Sequence, residues 1–598
     1  MNALLKRHLF SFLSFLLVFS LCFPAAGFAK GWDDPTKPGW GNGEKAKHGW
    51  IVSKMKHMTL EEKIGQLFII HMYGQTPTDP AYEDTNLNNN RGAKNFKEAI
   101  ERYHIGGVIY FNWTDNIGNP ADVEQVNALS NGLQDVAMDQ RMPIPLFIST
   151  DQEGGIVQRL TSPGTVFPGN MALGATRSPE LAADSAGIIG NELGSLGINM
   201  NFAPVADVNV NPENPVIGVR SFGEDADLVS DLTVSQIEAY QDEKMIPSAK
   251  HFPGHGDTDV DSHYGLPIIN HDLETLYNVD LKPFQAAIDA GVEAIMTAHI
   301  VVPALDDSGL PATLSKPILT DLLRDEMGFE GLIVTDSLGM SGANVVDPER
   351  VPVEAFKAGN DILLNPPDVE QAYNAMLEAV ETGEISEERV DESVYRILKA
   401  KMEKGLFGEP NTDPEAVDNI GTEENLAKAD EIADQSITLV KNEDDLLPLQ
   451  DDRDVLITGP SAAKPGYLSE QLQAKGFNVS DYATDTSPTP DQIDGAAAEA
   501  ENADIVVTAT YTANTNDAQQ QLVEAIQDTG KPVVVTAIRN PYDLMAFPEV
   551  EGYVTTYGDR DVSVEALARV LSGEVNPEGR LPVTIPDLYE YGHYLGYE

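Results

Sequence analysis

Short runs of apolar and β-branched residues alternate with longer amphipathic stretches between Met58 and about residue 400. Eight of these runs have the length and composition of buried strands. The predicted strands are Gln66–Ile70, Gly106–Tyr110, Pro145–Thr150, Asn199–Val205, Pro247–His251, Ala294–Ala298, Leu332–Thr335 and Asp361–Asn365. The amphipathic stretches predict helices that include Val123–Asp139, Pro179–Leu196, Leu228–Asp242, Leu273–Ala290 and Pro317–Met327. This alternation is typical of a parallel α/β sheet, and eight units predict a (β/α)₈ barrel, with a doubly wound open sheet as the alternative.

Polar residues follow several of the predicted strands at their carboxyl ends. They are Asp151, Asp207, Lys250, His251, His299 and Asp336. In a barrel all these ends meet on one face, where barrel enzymes place their active sites, whereas an open sheet would spread them along an edge. The distribution of polar residues therefore favours the barrel.

A second domain is predicted after the barrel. The polar, turn-rich segment that starts at Phe407-Gly-Glu-Pro410 indicates a linker, because it interrupts both periodic patterns. Apolar structure resumes at Ser436–Val440, and four further runs resemble parallel strands, with a helix at Ala518–Thr529. Those runs are Asp454–Thr458, Ile505–Thr510, Pro532–Ala537 and Gly552–Thr556. We expect a barrel domain over residues 30–407, a linker over 408–430 and a smaller three-layer α/β sandwich over 431–598.

The first 29 residues resemble a secretory signal peptide. Lys6 and Arg7 precede the apolar stretch Leu9–Phe23, and Ala29 provides a small residue for cleavage. The apolar stretch is shorter than the roughly 20 residues that a membrane span needs. Cys22 is the only cysteine, and we favour cleavage after Ala29 over lipid anchoring through Cys22. A secreted or cell-surface location is expected, with no membrane span.

Composition excludes several classes of protein and partner. Of 598 residues, 42 % are hydrophobic, which indicates a globular chain with ample core. With 39 Lys and Arg against 95 Asp and Glu, the formal net charge is −56. A surface of that sign repels phosphate backbones, so nucleic acid is not an expected partner.

The densest group of candidate catalytic residues is residues 250–263, which contain three histidines and three aspartates. His251 and His255 have the spacing of helical zinc ligands, but the proline and glycine between them would break a helix, which disfavours a metal site. Asp261 and His263 are two residues apart, so extended backbone would put both side chains on one side. A carboxylate beside an imidazole indicates an acid/base pair, since it orients the ring and stabilises its cation.

Two further segments carry candidate site residues. Gly331–Thr335 is an apolar strand that ends at Asp336, which is either a helix cap or a nucleophile. Asp151 lies at another strand end, and Arg159 follows eight residues later. A carboxylate with a guanidinium at a strand end suits a ligand with several adjacent hydroxyls, although a structural ion pair is the alternative for Arg159.

Several motifs together resemble the bacterial β-N-acetylglucosaminidases of glycoside hydrolase family 3. They are Asp151-Gln-Glu-Gly-Gly, Asn214-Pro-Val-Ile-Gly-Val-Arg220-Ser-Phe-Gly, Lys250-His-Phe-Pro-Gly-His-Gly with Asp261-Ser-His263, Thr335-Asp336-Ser-Leu, Ser436-Ile-Thr-Leu-Val-Lys441-Asn442 and Gly573-Glu-Val-Asn-Pro-Glu-Gly-Arg580-Leu-Pro. The resemblance covers residues 58 to 590. The β-glucosidases of the same family usually have Ser-Asp-Trp at the nucleophile, whereas this chain has Thr-Asp-Ser.

The resemblance implies a retaining mechanism without metal or cofactor. It implies that Asp336 is the nucleophile and that His263, assisted by Asp261, is the acid/base. The implied sugar-binding residues are Asp151, Arg159, Arg220, Lys250 and His251. The expected substrates are peptidoglycan fragments, such as muropeptides, or chitooligosaccharides, cleaved one N-acetylglucosamine at a time. The alternatives are a β-glucosidase, a phosphorolytic enzyme, a sugar-binding protein without catalysis and a metal-dependent amidohydrolase.

Overall fold

A closed barrel forms the first of two domains in the computed structural model, which describes residues 42–597. The predicted signal segment 1–29, with Cys22, lies outside the described residues. The barrel strands are β1 (Phe68–Ile70), β2 (Gly107–Ile109), β3 (Phe147–Thr150), β4 (Met200–Asn201), β5 (Ile246–Phe252), β6 (Ala294–Thr297), β7 (Leu332–Thr335) and β8 (Leu363–Leu364). Neighbouring strands are parallel in the order β7-β6-β5-β4-β3-β2-β1-β8. The backbone N–H of Thr335 donates to the carbonyl of Ile362 (3.0 Å), which joins β7 to the start of β8 and closes the barrel.

The eight predicted strands are confirmed, and the open-sheet alternative is wrong because the first and last strands are neighbours. Most observed strands are shorter than predicted because the chain leaves the sheet before the apolar run ends. Only two residues of the predicted Asn199–Val205 form β4; Val205 then makes an isolated bridge to Lys250. The strand ends bend into the loops that carry the site.

Helices surround the barrel as the amphipathic pattern predicts. Their bounds are Asn42–Met55, Leu60–Gly65, Glu83–Asn88, Phe96–Tyr103, Val123–Met138, Asn170–Thr176, Pro179–Ser195, Ala226–Asp242, Leu273–Thr275, Lys282–Asp289, Val351–Ala358, Val369–Glu381 and Glu387–Glu403. Asp122, Ser178 and Asp225 each cap a long helix by accepting a hydrogen bond from a backbone N–H of its first turn. These caps explain why the predicted starts agree with the observed ones to within two residues.

The predicted helix Leu273–Ala290 is wrong in one respect, because the structure divides it into three pieces. A π-helical segment, Leu276–Asp280, lies between Leu273–Thr275 and Lys282–Asp289. Pro283 has no N–H to donate to the preceding turn, so the regular ladder cannot run through this point. The predicted helix Pro317–Met327 is likewise π-helical over Pro317–Glu326.

The second domain is a six-stranded sheet with helices on both faces, as predicted. Its elements are β9 (Thr438–Asn442), β10 (Asp454–Pro460), β11 (Asn478–Thr484), β12 (Ile505–Thr510), β13 (Val533–Ala537), β14 (Gly552–Thr555) and helices Pro465–Ala474, Pro490–Ala500, Asp517–Gln527 and Asp561–Leu571. The order is β11-β10-β12-β13-β14-β9, and only β9 is antiparallel to its neighbour. Strand β11 was not predicted, since it is a largely exposed edge strand without an apolar run.

The segment between the two sheets is structured. Residues 408–430, the predicted linker, contain a 3₁₀-helix (Pro414–Asn419) and the first turns of the helix Glu423–Ser436. The buried carboxylate of Glu192 accepts hydrogen bonds from the Gly421 N–H (2.9 Å) and the Asn425 amide (3.0 Å). Both sheets belong to one compact unit that begins at Gly49. Among residues 42–597, none of the helices is long and apolar enough to cross a membrane.

Candidate active site

A cavity of about 320 Å³ opens at the carboxyl ends of the barrel strands. The structure brings seven of the eight predicted site residues to its lining: Asp151, Arg159, Arg220, Lys250, His251, His263 and Asp336. The eighth, Asp261, accepts a hydrogen bond from His263. The predicted residues therefore share one place, although they come from the ends of four different strands and the loops that follow them.

The floor of the cavity, as we call Glu153, Arg220 and Lys250, is a buried cluster of charges. Arg220 donates two hydrogen bonds to the carboxylate of Glu153 (2.7 and 2.8 Å), and Lys250 Nζ lies 2.7 Å from the same group. Burial alone would raise the pKa of Glu153, but the two cations outweigh it and hold the pKa well below its usual range. Glu153 was not among the predicted site residues, although its place two residues after Asp151 was a usable signal.

Asp151 links the floor to the rim. Its carboxylate lies 3.0 Å from Lys250 Nζ and 3.5 Å from an Arg159 nitrogen. Burial would lower the pKa of Lys250, but Glu153 and Asp151 together raise it, so the ammonium stays charged. Asp151 is less buried than the floor and keeps acceptor sites for a ligand hydroxyl.

His251 is oriented by Asp207, which the sequence marked only as a strand-end residue. Asp207 is fully buried; one of its oxygens lies 2.7 Å from His251 Nδ1 and the other accepts the backbone N–H groups of His251 (3.1 Å) and His255 (2.8 Å). Arg220 lies 3.3 Å from His251 Nε2. Because a guanidinium can only donate, this contact favours the tautomer of the neutral ring that has its proton on Nδ1 and its lone pair on Nε2.

Asp336 follows β7 directly and points its carboxylate into the cavity. The Ser337 N–H donates to it (2.6 Å). Burial would raise the pKa of Asp336, but His251, His299, this hydrogen bond and Lys250 lower it. His299, fully buried, lies 3.0 Å from the Ser337 carbonyl and so supports the same turn. Asp336 is therefore ionised at neutral pH, as a nucleophile must be.

His263 and Asp261 lie on residues 253–265, which we call the histidine loop. Asp261 Oδ1 accepts from His263 Nδ1 (2.7 Å) and from the His263 backbone N–H (2.9 Å). The imidazole is 54 % exposed, which makes it the most open of the charged groups around the cavity. The other ring nitrogen, Nε2, does not contact Asp261 and is available for proton exchange.

His255 fastens the histidine loop from inside. Its Nδ1 lies 2.7 Å from Thr258 Oγ1 and its Nε2 3.0 Å from Ser262 Oγ. Burial lowers the pKa of His255 to about 4, so the ring is neutral and acts as a hydrogen-bonding strut. Ser262 immediately precedes His263, and this strut therefore fixes the backbone that carries the acid/base candidate.

The comparisons with known proteins agree with this architecture. Residues 59–400 match the family model described as "Glycosyl hydrolase family 3 N terminal domain", and residues 437–597 match "Glycosyl hydrolase family 3 C-terminal domain". The chain belongs to glycoside hydrolase family 3. It is therefore a glycoside hydrolase, and its cavity lies at the carboxyl ends of the barrel strands, where barrel enzymes place their active sites.

Relatives match over both domains. The chain is 36 % identical to "Beta-hexosaminidase A" of Pseudoalteromonas piscicida, over 82 % of this chain and 90 % of that protein. It is 31 % identical to "Beta-N-acetylglucosaminidase/beta-glucosidase" of Cellulomonas fimi, over 89 % of this chain and 95 % of the other. A solved family 3 β-N-acetylglucosaminidase from Paenibacillus sp. str. FPU-7 superposes with a TM-score of 0.81 at 37 % identity, covering 88 % of this chain and 99 % of that one.

The zinc alternative finds no support in the positions of the histidines of this family 3 site. His251 and His255 have their rings 5.9 Å apart and engage Asp207, Thr258 and Ser262 instead of a shared point. Within residues 42–597, no group of three or more His, Cys, Asp or Glu side chains is arranged to hold a metal ion.

An aromatic wall on one side of the cavity was missed by the sequence analysis. Phe111 and Trp113, just after β2, stack with ring centroids 4.8 Å apart and planes 21° from parallel. Trp113 is half exposed, and His71 packs edge-on against it at 4.8 Å. Their position after a predicted strand was a signal, but an aromatic pair in such a place more often belongs to the core.

Proposed function

We propose that this family 3 enzyme is a retaining exo-β-N-acetylglucosaminidase, which releases terminal N-acetylglucosamine from muropeptides or chitooligosaccharides. The observation that carries the proposal is that Asp336 and the Asp261–His263 pair meet at one cavity with a charged floor. A cavity closed at its base suits the end of a chain rather than its middle. The choice of sugar is supported by the β-hexosaminidase of Pseudoalteromonas piscicida and the solved β-N-acetylglucosaminidase, while the Cellulomonas fimi relative is named for both N-acetylglucosaminides and β-glucosides.

The first chemical step forms a glycosyl-enzyme. The Asp336 carboxylate attacks the anomeric carbon, the bond to the leaving oxygen breaks, and that oxygen takes a proton from His263 Nε2. Asp261, on Nδ1, stabilises the ring in each protonation state. In the second step water attacks the anomeric carbon, gives its proton to Nε2 and releases Asp336, so the configuration is retained.

The buried groups bind the sugar. Asp151, with acceptor sites left beside Lys250 and Arg159, accepts hydrogen bonds from sugar hydroxyl groups, while Lys250, Arg220 and Arg159 donate to sugar oxygens. His251 presents Nε2 to the cavity beside Arg220. Each of these groups is fixed before the substrate arrives, which reduces the entropy lost on binding.

The decisive experiment compares two chromogenic substrates, a β-N-acetylglucosaminide and the β-glucoside, by kcat/KM. We expect the acetamido sugar to be at least about tenfold better. Asp336→Asn serves as the control for contaminating activity. A better rate on the glucoside would reject the proposal. Product analysis with a muropeptide and with chitobiose, at equal concentration, then decides between the two substrate classes.

Phosphorolysis is a second candidate because of one feature of the histidine loop. The acid/base group is an imidazole, which does not repel an incoming anion as a carboxylate would. Phosphate could then replace water in the second step, forming N-acetylglucosamine 1-phosphate. A turnover assay with added phosphate and ³¹P detection of the sugar phosphate tests this. Free N-acetylglucosamine as the only product would reject phosphorolysis and mean that the enzyme acts by hydrolysis.

Export is part of the proposal. Lys6, Arg7 and the apolar stretch Leu9–Phe23 support a signal peptide with cleavage after Ala29. The mature protein should be recovered outside the cytoplasm with Lys30 as its first residue, as determined by mass spectrometry. A Cys22→Ser variant should be exported equally well; its retention in the cell would favour lipid anchoring through that cysteine.

A further inference from the structure

The second domain packs against the loops that carry the sugar-binding residues, yet it contributes none of the residues that line the cavity in the described part of the chain. A buried apolar cluster joins the two domains. Its members are Met171, Ala172, Ala175 and Val219 of the barrel and Tyr542, Tyr557 and Val583 of the second domain. Val219 directly precedes Arg220, so one backbone segment faces the second domain with one side chain and Glu153 with the next.

Arg560 reaches from the second domain to the turn that carries Glu153. Its Nε donates to the carbonyl of Gly155 (2.6 Å). The turn closes on itself, because the Glu153 N–H donates to the Val157 carbonyl (3.0 Å). Arg560 therefore holds the outer side of the turn, while on the inner side of the turn the Glu153 side chain pairs with Arg220 and Lys250.

The backbones of the two domains are also in close contact beside this turn. A Cβ on Gly558 would lie 2.4 Å from the Pro168 carbonyl, and one on Gly155 would lie 2.9 Å from the Cα of Gly169. Three backbone layers are thus stacked without room for a side chain. A shift of the second domain would move the Glu153 turn directly.

Tyr542 makes the corresponding contact with the segment that carries Asp207. Its buried hydroxyl accepts from Asn209 Nδ2 (3.1 Å). The Asn209 N–H donates to the Gly223 carbonyl (2.8 Å), and Ser221 Oγ donates to the Asp207 carbonyl (2.6 Å). Asp207, which orients His251 at the end of β5, is therefore also linked to the second domain through Ser221, Asn209 and Tyr542.

We propose that the second domain acts as a brace for sugar binding, with Arg560 and Tyr542 as positioning residues. Arg560 acts through Glu153, and Tyr542 acts through Asp207 and His251. The inference rests on the proposed function, since it takes these barrel residues to hold the terminal sugar. Loss of the brace should weaken binding of the sugar equally in the ground state and in the transition state. KM should therefore rise while kcat changes little.

Arg177 supplies a matched control. It also reaches across the interface, donating to the Leu581 carbonyl (2.7 Å) and stacking 3.9 Å from the Tyr591 ring. None of its recorded contacts is with the segments that carry Glu153, Asp207 or Arg220. Arg177→Ala should therefore lower the Tm as Arg560→Ala does, without changing the KM by more than about twofold.

The test measures kcat, KM and Tm for Arg560→Ala, Arg560→Lys, Tyr542→Phe and Arg177→Ala on the best chromogenic glycoside of the unmodified enzyme. We expect KM to rise about tenfold in Arg560→Ala and about threefold in Tyr542→Phe. Arg560→Lys should recover most of the loss, because an ammonium can still donate to the Gly155 carbonyl.

Equal KM values in Arg560→Ala and Arg177→Ala, or a fall in kcat alone, would overturn the brace. If Arg560→Ala does not fold, Arg560→Lys and Tyr542→Phe decide by the same comparison with Arg177→Ala. Failure of the brace and failure of the proposed function can be told apart: a preference of the unmodified enzyme for β-glucosides rejects that function, while the KM contrast between Arg560→Ala and Arg177→Ala is still measured on the glucoside.

Discussion

The floor of the cavity and the histidine loop hold two different kinds of ionisable pair. In the floor, Glu153 is 1 % and Lys250 2 % exposed, and each ion has more than one partner. In the loop, Asp261 has a single ring as its partner, and that ring, His263, is half exposed. Burial strengthens the attraction between the charges of the floor and holds their side chains in place. Solvent screens the attraction between Asp261 and His263.

The difference corresponds to the two tasks of a glycosidase. Sugar binding gains from groups that do not move, because ordering them on binding would cost affinity. Proton transfer needs a group that exchanges protons with leaving oxygen and water in every cycle. Asp336, the proposed nucleophile, is partly buried at a strand end and held by the Ser337 N–H, so it belongs to the rigid part, whereas the proposed acid/base His263 is open.

The largest expected effect comes from replacing Asp336, the proposed nucleophile. Asp336→Asn keeps the shape of the side chain but cannot form the glycosyl-enzyme, so turnover should fall by about 10⁴-fold or more. Trapping with a 2-fluoro or related slow sugar probe, followed by mass spectrometry, should label the unmodified enzyme only. A labelled variant would assign the nucleophile to another residue.

Replacing the open partner should cost less and depend on the leaving group. His263→Ala should slow natural substrates by about 10²- to 10⁴-fold. With a dinitrophenyl glycoside, whose leaving group needs no proton, the glycosyl-enzyme should still form and accumulate. Azide, which needs no base, should then restore turnover and yield a β-glycosyl azide.

Asp261→Asn is the matched control for His263→Ala, because it keeps the imidazole and lowers its basicity. We expect a milder loss of activity and a displaced pH profile. If azide rescues neither variant, or the glycosyl azide is α, His263 binds substrate and the acid/base is another group. That result would remove the division between a rigid floor and an open catalytic loop.

The sequence was sufficient for the barrel because its strands are buried on both faces and appear as continuous apolar runs. Asp336 could be placed because it ends such a run at Thr335. The pairing of Glu153 with Arg220 could not be predicted, since the two are 67 residues apart and meet only when the barrel closes. The same applies to the contact of Arg560 with Gly155, which needs both domains in place.

Local patterns failed where tertiary contacts decide the outcome. The edge strand β11 is polar and exposed, so only its hydrogen-bonded pairing with β10 identifies it as a strand, and that pairing is not visible in the sequence. The π-helical turn Leu276–Asp280 interrupts an otherwise regular amphipathic pattern. The roles of Asp336, His263 and the sugar-binding residues stay predictions, because a position at the cavity does not by itself demonstrate chemistry.

Breaking the floor should affect stability as well as binding. Glu153→Gln leaves two buried cations without their shared carboxylate, and the free energy of unfolding should fall by about 3–5 kcal/mol. Asp261→Asn, in the exposed pair, should change it by less than about 1 kcal/mol. Urea denaturation of both variants measures this contrast; equal losses would mean that burial does not distinguish the two pairs.

The pH dependence of the floor follows from the lowered pKa of Glu153. A carboxyl with a lowered folded-state pKa contributes stability above its ordinary pKa, about 4.5, and loses it as the pH falls through the lowered value. The stability difference between the unmodified enzyme and Glu153→Gln should therefore be full at neutral pH and shrink only in strong acid.

The smallest expected effect concerns a clamp at the base of the histidine loop. His271 lies between two carboxylates, with Nδ1 2.7 Å from Asp280 and Nε2 2.9 Å from Asp257, and the second of these is on the loop. The hydrogen bond that His271 donates to the Asp280 carboxylate is the main cause that raises the pKa of His271. Both contacts are complete only when the ring is protonated, because an imidazolium has two N–H donors.

A histidine with a raised folded-state pKa adds stability that is full below its ordinary pKa of about 6.5 and is lost as the pH rises through the raised value. The Tm of the unmodified enzyme should therefore decline by about 2 °C between pH 6 and pH 9 relative to that of His271→Gln. The protection of the amides of residues 257–265, taken relative to their intrinsic exchange rate at each pH, should fall over the same pH range in the unmodified enzyme and be low throughout in the variant. Parallel Tm curves and equal amide protection in the two proteins would show that the His271 clamp does not hold the histidine loop. The solvent exposure of His263 would then be independent of the contacts of His271.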